Sequence, residues 1–442
     1  MRAIRRLGLA LALVAVTHFH APPVEARSIG LIRDAEIEAT LQTFIGPILE
    51  AAGLGANSVR IYIVNDEQLN AFVAGGMNLF LHTGLIMRSE DPSQLIGVMA
   101  HEVGHIAGGH LTRIPTAQRK AAAEMIVAAV LGAATAMVGA PALGTAIMAG
   151  GSTYAQDGLM RFSRSQEQAA DQAALTYLDR AGVPSTGLAE FFRILDNQNV
   201  LAVSRGNPFV QSHPLSRERM QFVEQHAAAR ADLTTPPAWT AAHAMMVAKL
   251  RGFLDDPREV LRRYRDDDSL PGRYARAIAH YRLPDLQQGL ADIEALLAEH
   301  ADNPYFHELK GQMLFENGQI EAAIGPYREA VRLAKDSSLL RIGLAQALIE
   351  SGDPAALTAA AQQLEDALQR EPSNPAAWRL LGIAQGRDGE EGLSNLAFAE
   401  YALLIGKPDD AKLYARRAES KIAASDPAWL RLQDILRVLE ES

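Results

Sequence analysis

Residues 91–110 read DPSQLIGVMAHEVGHIAGGH, and this stretch decides the fold around it. Asp91 and Pro92 are typical of the N-cap and the first turn of an α-helix, and apolar residues follow them at helical spacing. The two glycines at positions 108 and 109 predict the end of that helix. We therefore expect one largely apolar helix that carries the pentad His101-Glu102-Val103-Gly104-His105.

The pentad has the spacing of a metal site. In a helix of about 100° per residue, His101 and His105 lie roughly 40° apart on one face, so both imidazoles can reach one ion. Glu102 then flanks the ion, where it can take a proton from a metal-bound water. The alternative is a chance pair of histidines, but an apolar helix would bury them without partners at a cost. His110 is predicted to face away, about 180° round the same helix.

A catalytic zinc ion needs a third protein ligand and an open position for water. The best candidate is Glu167, in the segment SRSQEQAAD of residues 163–171. Glu167 and Asp171 are spaced i, i+4 and share a helix face, so one carboxylate can bind metal while the other accepts the free N–H of a ligand histidine. The alternative interpretation is a solvated acidic start of a helix.

Composition limits the chemistry. The chain has 442 residues, 48% of them hydrophobic and 6% aromatic, with 42 Lys and Arg against 52 Asp and Glu and a formal charge of −10. The acidic balance argues against a nucleic-acid partner. Because the chain contains no cysteine, any metal must be held by His, Asp and Glu.

The first 26 residues are predicted to be a cleavable signal peptide. Three arginines precede an apolar run over residues 7–16, and Val24-Glu25-Ala26 supplies small residues at the positions a signal peptidase reads. A run of roughly ten residues is short for the alternative, a membrane anchor. We expect cleavage after Ala26, export from the cytoplasm and, without a cysteine, no lipid anchor.

The remainder divides into two domains of mostly α structure. Residues 28–230 predict an α+β domain, with alternating strand-like runs at 58–64 and 77–82. A Thr-Thr-Pro-Pro break at 234–237 opens residues 231–271, a linker with the first helices of the next region. Residues 272–442 predict an all-α solenoid.

The all-α region repeats itself. Small and aromatic residues such as Gly311 and Tyr327, and the segment Trp378-x-x-Leu381-Gly382, fall at the positions of a 34-residue helix–turn–helix unit. About four units fit. The region resembles tetratricopeptide repeats (TPR); the alternative is a generic Ala-rich array of helix pairs with a similar curved surface.

The spacing of these motifs resembles a known family. HEVGH followed by Ser-Arg-x-x-Glu-x-x-Ala-Asp, with Asn70-Ala71-Phe72 and a Gly75-Gly76 turn before it, is similar to the zinc metallopeptidase family of HtpX and the CAAX prenyl proteases. The signal peptide and the repeats resemble its periplasmic BepA-like branch. The resemblance implies a zincin-type protease domain with one Zn²⁺ per chain held by His101, His105 and Glu167. It also implies that Glu102 is the general base and that Asp171 supports a ligand.

Further expectations come from the same resemblance. The substrate would lie along an edge strand at 77–82, with Met77, Asn78, Leu79 and Phe80 beside it. His213, in a His-Pro segment, would close the site as a fourth ligand or withdraw to admit water. Arg217 or His213 would stabilise the oxyanion. The alternative for His213 is a loop residue that only precedes a helix.

Residues 125–150 carry no charge. Their alanines and glycines and the central Pro141 favour two short apolar helices near the site, in peripheral contact with a membrane. The alternative is a membrane span and an integral-membrane protease.

These observations predict an exported zinc endopeptidase whose repeats select protein clients. By resemblance, the clients are outer-membrane β-barrel proteins and their assembly machinery, in quality control and assembly. The rival hypothesis is a chaperone or assembly scaffold with a latent zinc site.

Overall fold

The structure of the protein, a computed structural model, describes residues 30–110, 113, 149, 163–201, 209, 213–230, 232–283 and 285–441. The predicted signal peptide lies outside these ranges, as does the apolar stretch 125–150 apart from Ala149. Within the described ranges, no helix combines the length and the apolar character needed to cross a bilayer.

A four-stranded mixed sheet lies in the N-terminal half. Its strands are β1 (Leu31–Ile32), β2 (Arg60–Val64), β3 (Ala71–Ala74) and β4 (Asn78–His82). They are ordered β1-β2-β4-β3; β2 and β4 run parallel, and the outer strands pair antiparallel to them. Both predicted strands are therefore present.

The expectation that residues 77–82 form an edge strand is wrong. β4 is hydrogen-bonded to β2 on one side and to β3 on the other. Asn78, Leu79 and Phe80 therefore lie in a strand without an open edge. Met77 precedes the strand, and its carbonyl accepts from the N–H of Arg60. A strand that is paired on both sides cannot add a substrate strand, and the outer strand on this side of the sheet is β3.

Among the described residues of this half, six helical segments accompany the sheet, and α3 carries the pentad. The Asp91 side chain accepts from the N–H of Ser93 at 2.8 Å, and the helix ends at Ala107 with Gly108 as its C-cap, as predicted. Apolar residues of α1, α3, α4 and α5 pack with those of the sheet into one core. The segments are α1 (Ala35–Ala51), α2 (Thr83–Arg88), α3 (Pro92–Ala107), α4 (residues 163–181), α5 (Thr186–Leu201) and α6 (Arg217–Ala229).

Helices joined by turns and short loops make up the described chain beyond residue 232, and no strand is found there. A Cβ on Gly311 would lie 3.0 Å from the ring of Tyr327, so the predicted small and aromatic repeat positions pack on each other. The helices are α7 (Pro237–Leu254), α8 (Pro257–Arg263), α9 (Leu270–Arg282), α10 (Leu286–Glu299), α11 (Pro304–Glu316), α12 (Ile320–Leu333), α13 (Ser338–Glu350), α14 (Pro354–Arg370), α15 (Pro375–Arg387), α16 (Glu391–Leu404), α17 (Pro408–Glu419) and α18 (Ala428–Glu441).

A buried ionic cluster joins the two halves. The Nζ atom of Lys249 in α7 lies 2.8 Å from Asp34, 3.3 Å from Glu36 and 3.5 Å from Glu308. Asp34 also caps α1 by accepting from the N–H of Ile37. Because removal of one partner from a buried ion cluster is costly, Lys249 holds α1 against the helical array.

Candidate metal centre

The two histidines of the pentad point to the same place. The Nε2 atoms of His101 and His105 are 3.1 Å apart, and both side chains are buried. Their separation of four residues on α3 produces this arrangement, since successive helical turns stack the two rings on one face.

Glu167 comes to the pair from α4. Its carboxylate oxygens lie 3.4 Å from the Nε2 of His101 and 3.4 Å from the Nε2 of His105. Gly104 makes this approach possible, because a Cβ there would lie 2.8 Å from the carbonyl oxygen of Ala170 in α4. The glycine inside the pentad thus lets the two helices pack backbone to backbone.

His213 is the fourth member of the cluster. Its Nδ1 lies 3.2 Å from Glu167 and 3.4 Å from the Nε2 of His101. The Nε2 atom on its other side lies 3.4 Å from Glu102. His213 is buried, and its ring packs on Phe209 with the ring centroids 4.7 Å apart.

The donor set fits a metal ion. One ligand atom from each of His101, His105, Glu167 and His213 lies within 4.8 Å of the others. The five distances given above among these four residues run from 3.1 to 3.4 Å. A tetrahedral zinc site with bonds of about 2.0–2.1 Å places its donors about 3.3 Å apart. Two or three imidazoles and one carboxylate are also a donor set that zinc prefers.

Asp171 is hydrogen-bonded to His101. The Nδ1–H of His101 donates to Asp171 at 2.9 Å, which leaves the Nε2 lone pair for the cluster. Asp171 is held in turn by Arg219 of α6, whose Nε and Nη2 donate to its two oxygens at 2.6 and 2.8 Å. The Nη1 of Arg219 also lies 3.0 Å from Glu167.

The arginine beside the cluster is Arg219, and the prediction of Arg217 is wrong. Arg217 is exposed on the first turn of α6, with no ionic partner in the described part of the chain, whereas Arg219 is buried beside Asp171 and Glu167. Nη1 of Arg219 also donates to the carbonyl of Pro214 at 2.8 Å. The direction in which α6 leaves the His-Pro segment sets this difference, and no local pattern encodes that direction.

The prediction for His110 is also wrong. The helix ends at residue 107, and Gly109 turns the chain with a φ of +62°. This reversal places the Nδ1 of His110 2.9 Å from the Nδ1 of His105. His105 can therefore donate its Nδ1–H to His110 while its Nε2 faces the cluster, as His101 does with Asp171.

Glu102 lies beside the cluster without a hydrogen bond. It is fully buried, and neither of its oxygens has a hydrogen-bond partner among the described residues. An unsatisfied buried carboxylate costs free energy, and such groups occur at functional sites. Although the Nε2 of His213 lies 3.4 Å from it, this carboxylate can accept a hydrogen bond from a group that enters the site.

The buried charges of the cluster are balanced. Burial lowers the pKa of His101, but its hydrogen bonds with Asp171 and Glu167 outweigh burial and raise that pKa to about 9. Burial raises the pKa of Glu167, but hydrogen bonds with His101 and His213 bring it well below the usual range. Burial and the charge of His101 lower the pKa of His105. Glu167 is therefore ionised, as a metal ligand must be.

Comparison with known proteins agrees with this site. Residues 32–227 match peptidase family M48, and residues 283–412 match the TPR domain of cytochrome c-type biogenesis protein H. The chain thus carries a peptidase family M48 domain followed by a TPR domain, and the protein is a metallopeptidase.

The chain is also similar to named proteases. The chain is 28% identical to the beta-barrel assembly-enhancing protease of Yersinia pestis over 80% of this chain and 74% of that protein. It is 26% identical to the protein of the same name from Escherichia coli K12, over 87% of this chain and 81% of that protein. Metalloprotease YcaL of Escherichia coli K12 is 28% identical over 42% of this chain and 69% of its own length.

Proposed function

We propose that this protein is an exported, periplasmic zinc endopeptidase that cleaves protein clients during the assembly and quality control of outer-membrane β-barrel proteins. Residues 28–230 would form the protease unit, 231–271 the connection and 272–442 the client-binding repeats. The observation that carries the proposal is the set of donor atoms 3.1–3.4 Å apart beside the unbonded carboxylate of Glu102. The names of the relatives support the client class.

His101, His105 and Glu167 would hold the zinc ion. A bound zinc ion supplies Lewis acidity, which polarises the scissile carbonyl and lowers the pKa of water. Glu102 accepts the proton that water loses as its oxygen attacks the carbonyl carbon, and then delivers that proton to the leaving amine. Asp171 and His110 keep the two imidazoles in the tautomer that presents Nε2.

The path of the substrate follows from the sheet order. β3 is the outer strand on its side of the sheet, and α3 packs against it. An extended peptide adds to an unpaired strand edge through backbone hydrogen bonds. The substrate strand is therefore assigned to β3 instead of residues 77–82.

The test combines metal analysis with one conservative variant. The purified chain should contain one zinc ion, and Glu102→Gln should retain that zinc while casein cleavage falls by at least about 10²-fold. Glu218→Gln, on the exposed first turn of α6, is the matched control and should cleave normally. Full cleavage of casein by Glu102→Gln would show that Glu102 is not the general base. N-terminal sequencing of the periplasmic protein should begin at residue 27.

One observation favours a second function, a scaffold with a latent zinc site. His213 supplies a fourth donor to the cluster, and four protein ligands leave no position for water. If His213 only closes a working site, His213→Ala should keep zinc and cleave casein at least as fast as the parent protein. Absence of cleavage in both proteins would favour the scaffold.

A further inference from the structure

A basic cleft opens in the repeat region, away from the metal centre. It has a volume of about 370 Å³ and lies where α12, α13 and α14 meet. Four of its lining residues are cations, and none of the described lining residues is acidic. The cations are Arg328, Arg332, Lys335 and Arg341. This local positive charge stands out on a chain with a formal charge of −10.

Helical spacing brings the cations together. Arg328 and Arg332 are four residues apart on α12, and Lys335 follows just beyond the end of that helix. These positions share one helix face. Arg341, from the first turn of α13, approaches from the neighbouring helix.

Two of the four cations have acidic partners. Arg332 pairs with Glu329 at 2.6 Å on the surface, and Arg341 lies 3.0 Å from Asp366. Arg328 and Lys335 have no ionic partner among the described residues. The cleft therefore presents two uncompensated positive charges to solvent.

The floor of the cleft is apolar. Val331, Leu344 and Leu348 line it and are buried. At its edge, the amide oxygen of Gln363 accepts from Arg341 at 2.6 Å, while the amide N–H₂ has no partner in the described chain. The volume is near the lower end for ligand pockets and admits a few side chains.

We propose that the basic cleft binds an extended acidic segment of a protein client. Its carboxylates pair with Arg328 and Lys335, one apolar side chain rests on the floor, and Gln363 donates to a peptide carbonyl. An inorganic anion would contact only the cations. A peptide would contact the cations, the apolar floor and the amide group of Gln363. The inference deepens the proposed function, because the occupant is a client, but binding here needs neither zinc nor catalysis.

Fluorescence polarisation on the full-length Glu102→Gln protein tests the inference without cleavage. The probe is a short fluorescein-labelled peptide of Asp, Glu and Leu; matched peptides carry Asn and Gln for the acids, or Ser for Leu. We expect the acidic apolar peptide to bind best and its affinity to fall with added salt. R328E/K335E should weaken binding about tenfold or more.

The matched control reverses the charge of two cations elsewhere in the helical repeat region. Lys412 and Arg416 are exposed on α17 without ionic partners in the described residues, and K412E/R416E should bind like the parent protein. Circular dichroism shows whether each variant folds. Should R328E/K335E destabilise the fold, R328Q/K335Q provides the comparison, and it should still bind less tightly than the parent.

Three results would overturn the inference. The first is that the neutral peptide binds as tightly as the acidic one. The second is that folded R328E/K335E or R328Q/K335Q binds the acidic peptide as tightly as the parent protein. The third is that phosphatidylglycerol vesicles or inorganic phosphate displace the labelled peptide while unlabelled peptide does not. Casein cleavage by the wild-type protein is measured separately. Loss of peptide binding with intact cleavage would refute the cleft alone, whereas intact binding without zinc or cleavage would refute the protease.

Discussion

Gly104 of α3 and Ala170 of α4 pack backbone against backbone: a Cβ at position 104 would lie 2.8 Å from the carbonyl oxygen and 3.1 Å from the Cα of Ala170. Glu167 is one turn before Ala170 on the same helix. The helix separation that Gly104 permits is thus the separation at which Glu167 meets His101 and His105.

Gly104→Ala should separate Glu167 from the histidine pair. A methyl group forced against backbone cannot be relieved by a side-chain rotation, so α4 must move, at a cost of about 1–3 kcal/mol. We expect zinc affinity, measured by competition with a chromophoric chelator, to fall about tenfold or more. Gly46→Ala on α1 is the control, because its Cβ would meet no atom within 4 Å. Unchanged zinc affinity in Gly104→Ala would contradict the packing argument.

His110→Ala should weaken zinc binding without removing a ligand. The variant leaves the Nδ1 of His105 without its partner at 2.9 Å, and loss of such supporting bonds costs about 10–100-fold in metal affinity. Chelator competition measures the change. His226→Ala removes a half-buried histidine contact of the same domain, to Asp179, and should leave zinc affinity as it is. Equal zinc affinities of the two variants would show that His110 does not support the metal site.

Arg219→Leu should be far more harmful than Arg217→Leu. Arg219 is the only described arginine that pairs with Asp171 and Glu167, and removing one partner from a buried ion pair costs about 3–5 kcal/mol. Arg217 is exposed, so its replacement should change stability by less than about 0.5 kcal/mol. Urea unfolding of the two variants makes the comparison. A large effect of Arg217→Leu would show that the two roles are exchanged.

His243 should make the fold less stable in acid. Burial lowers its pKa to about 4, although Asp91 opposes the shift, and the ring lies 2.8 Å from the hydroxyl of Ser89. As the pH falls from 6.5 to 4, the unfolded chain takes up a proton that the folded chain does not, so folding stability drops by about 3 kcal/mol.

The acid effect is isolated by comparing variants. His243→Asn should flatten the dependence of unfolding free energy on pH between 6.5 and 4, even where it lowers stability at neutral pH. His307→Asn, which replaces a partly exposed histidine of α11, should retain the slope of the parent protein. A parent-like slope in His243→Asn would show that other groups cause the acid sensitivity.

Local patterns predicted much of the fold. The cap at Asp91, the apolar spacing of α3 and the glycine stop each act over a few residues, and the structure has them where the sequence analysis placed them. The mostly α class, the small sheet and the repeats were predicted for the same reason. The assigned roles of Glu102, Glu167 and Asp171 stay predictions.

Errors arose where distant segments meet. β4 is internal because β2 pairs with it in parallel on one side, while β3, which lies between them in the sequence, pairs with it on the other. Strand order is a property of the whole sheet. The prediction named Arg217 instead of Arg219 because the contact of the arginine with Asp171 and Glu167 depends on how α6 packs against α4. His110 lies at the site because the chain reverses at Gly109. The predicted angle of about 180° between His101 and His110 applies only to a continuous helix, and the helix ends before His110.

The sequence alone determined that His101 and His105 share one face of a helix and that no thiolate can bind a metal, since helix geometry and residue type decide both. Only the tertiary structure decided that His213, His110 and Arg219 join them and that β3 takes the edge of the sheet. The physical reason is that these contacts depend on helix separation, chain reversal and strand order, and many distant residues set those together.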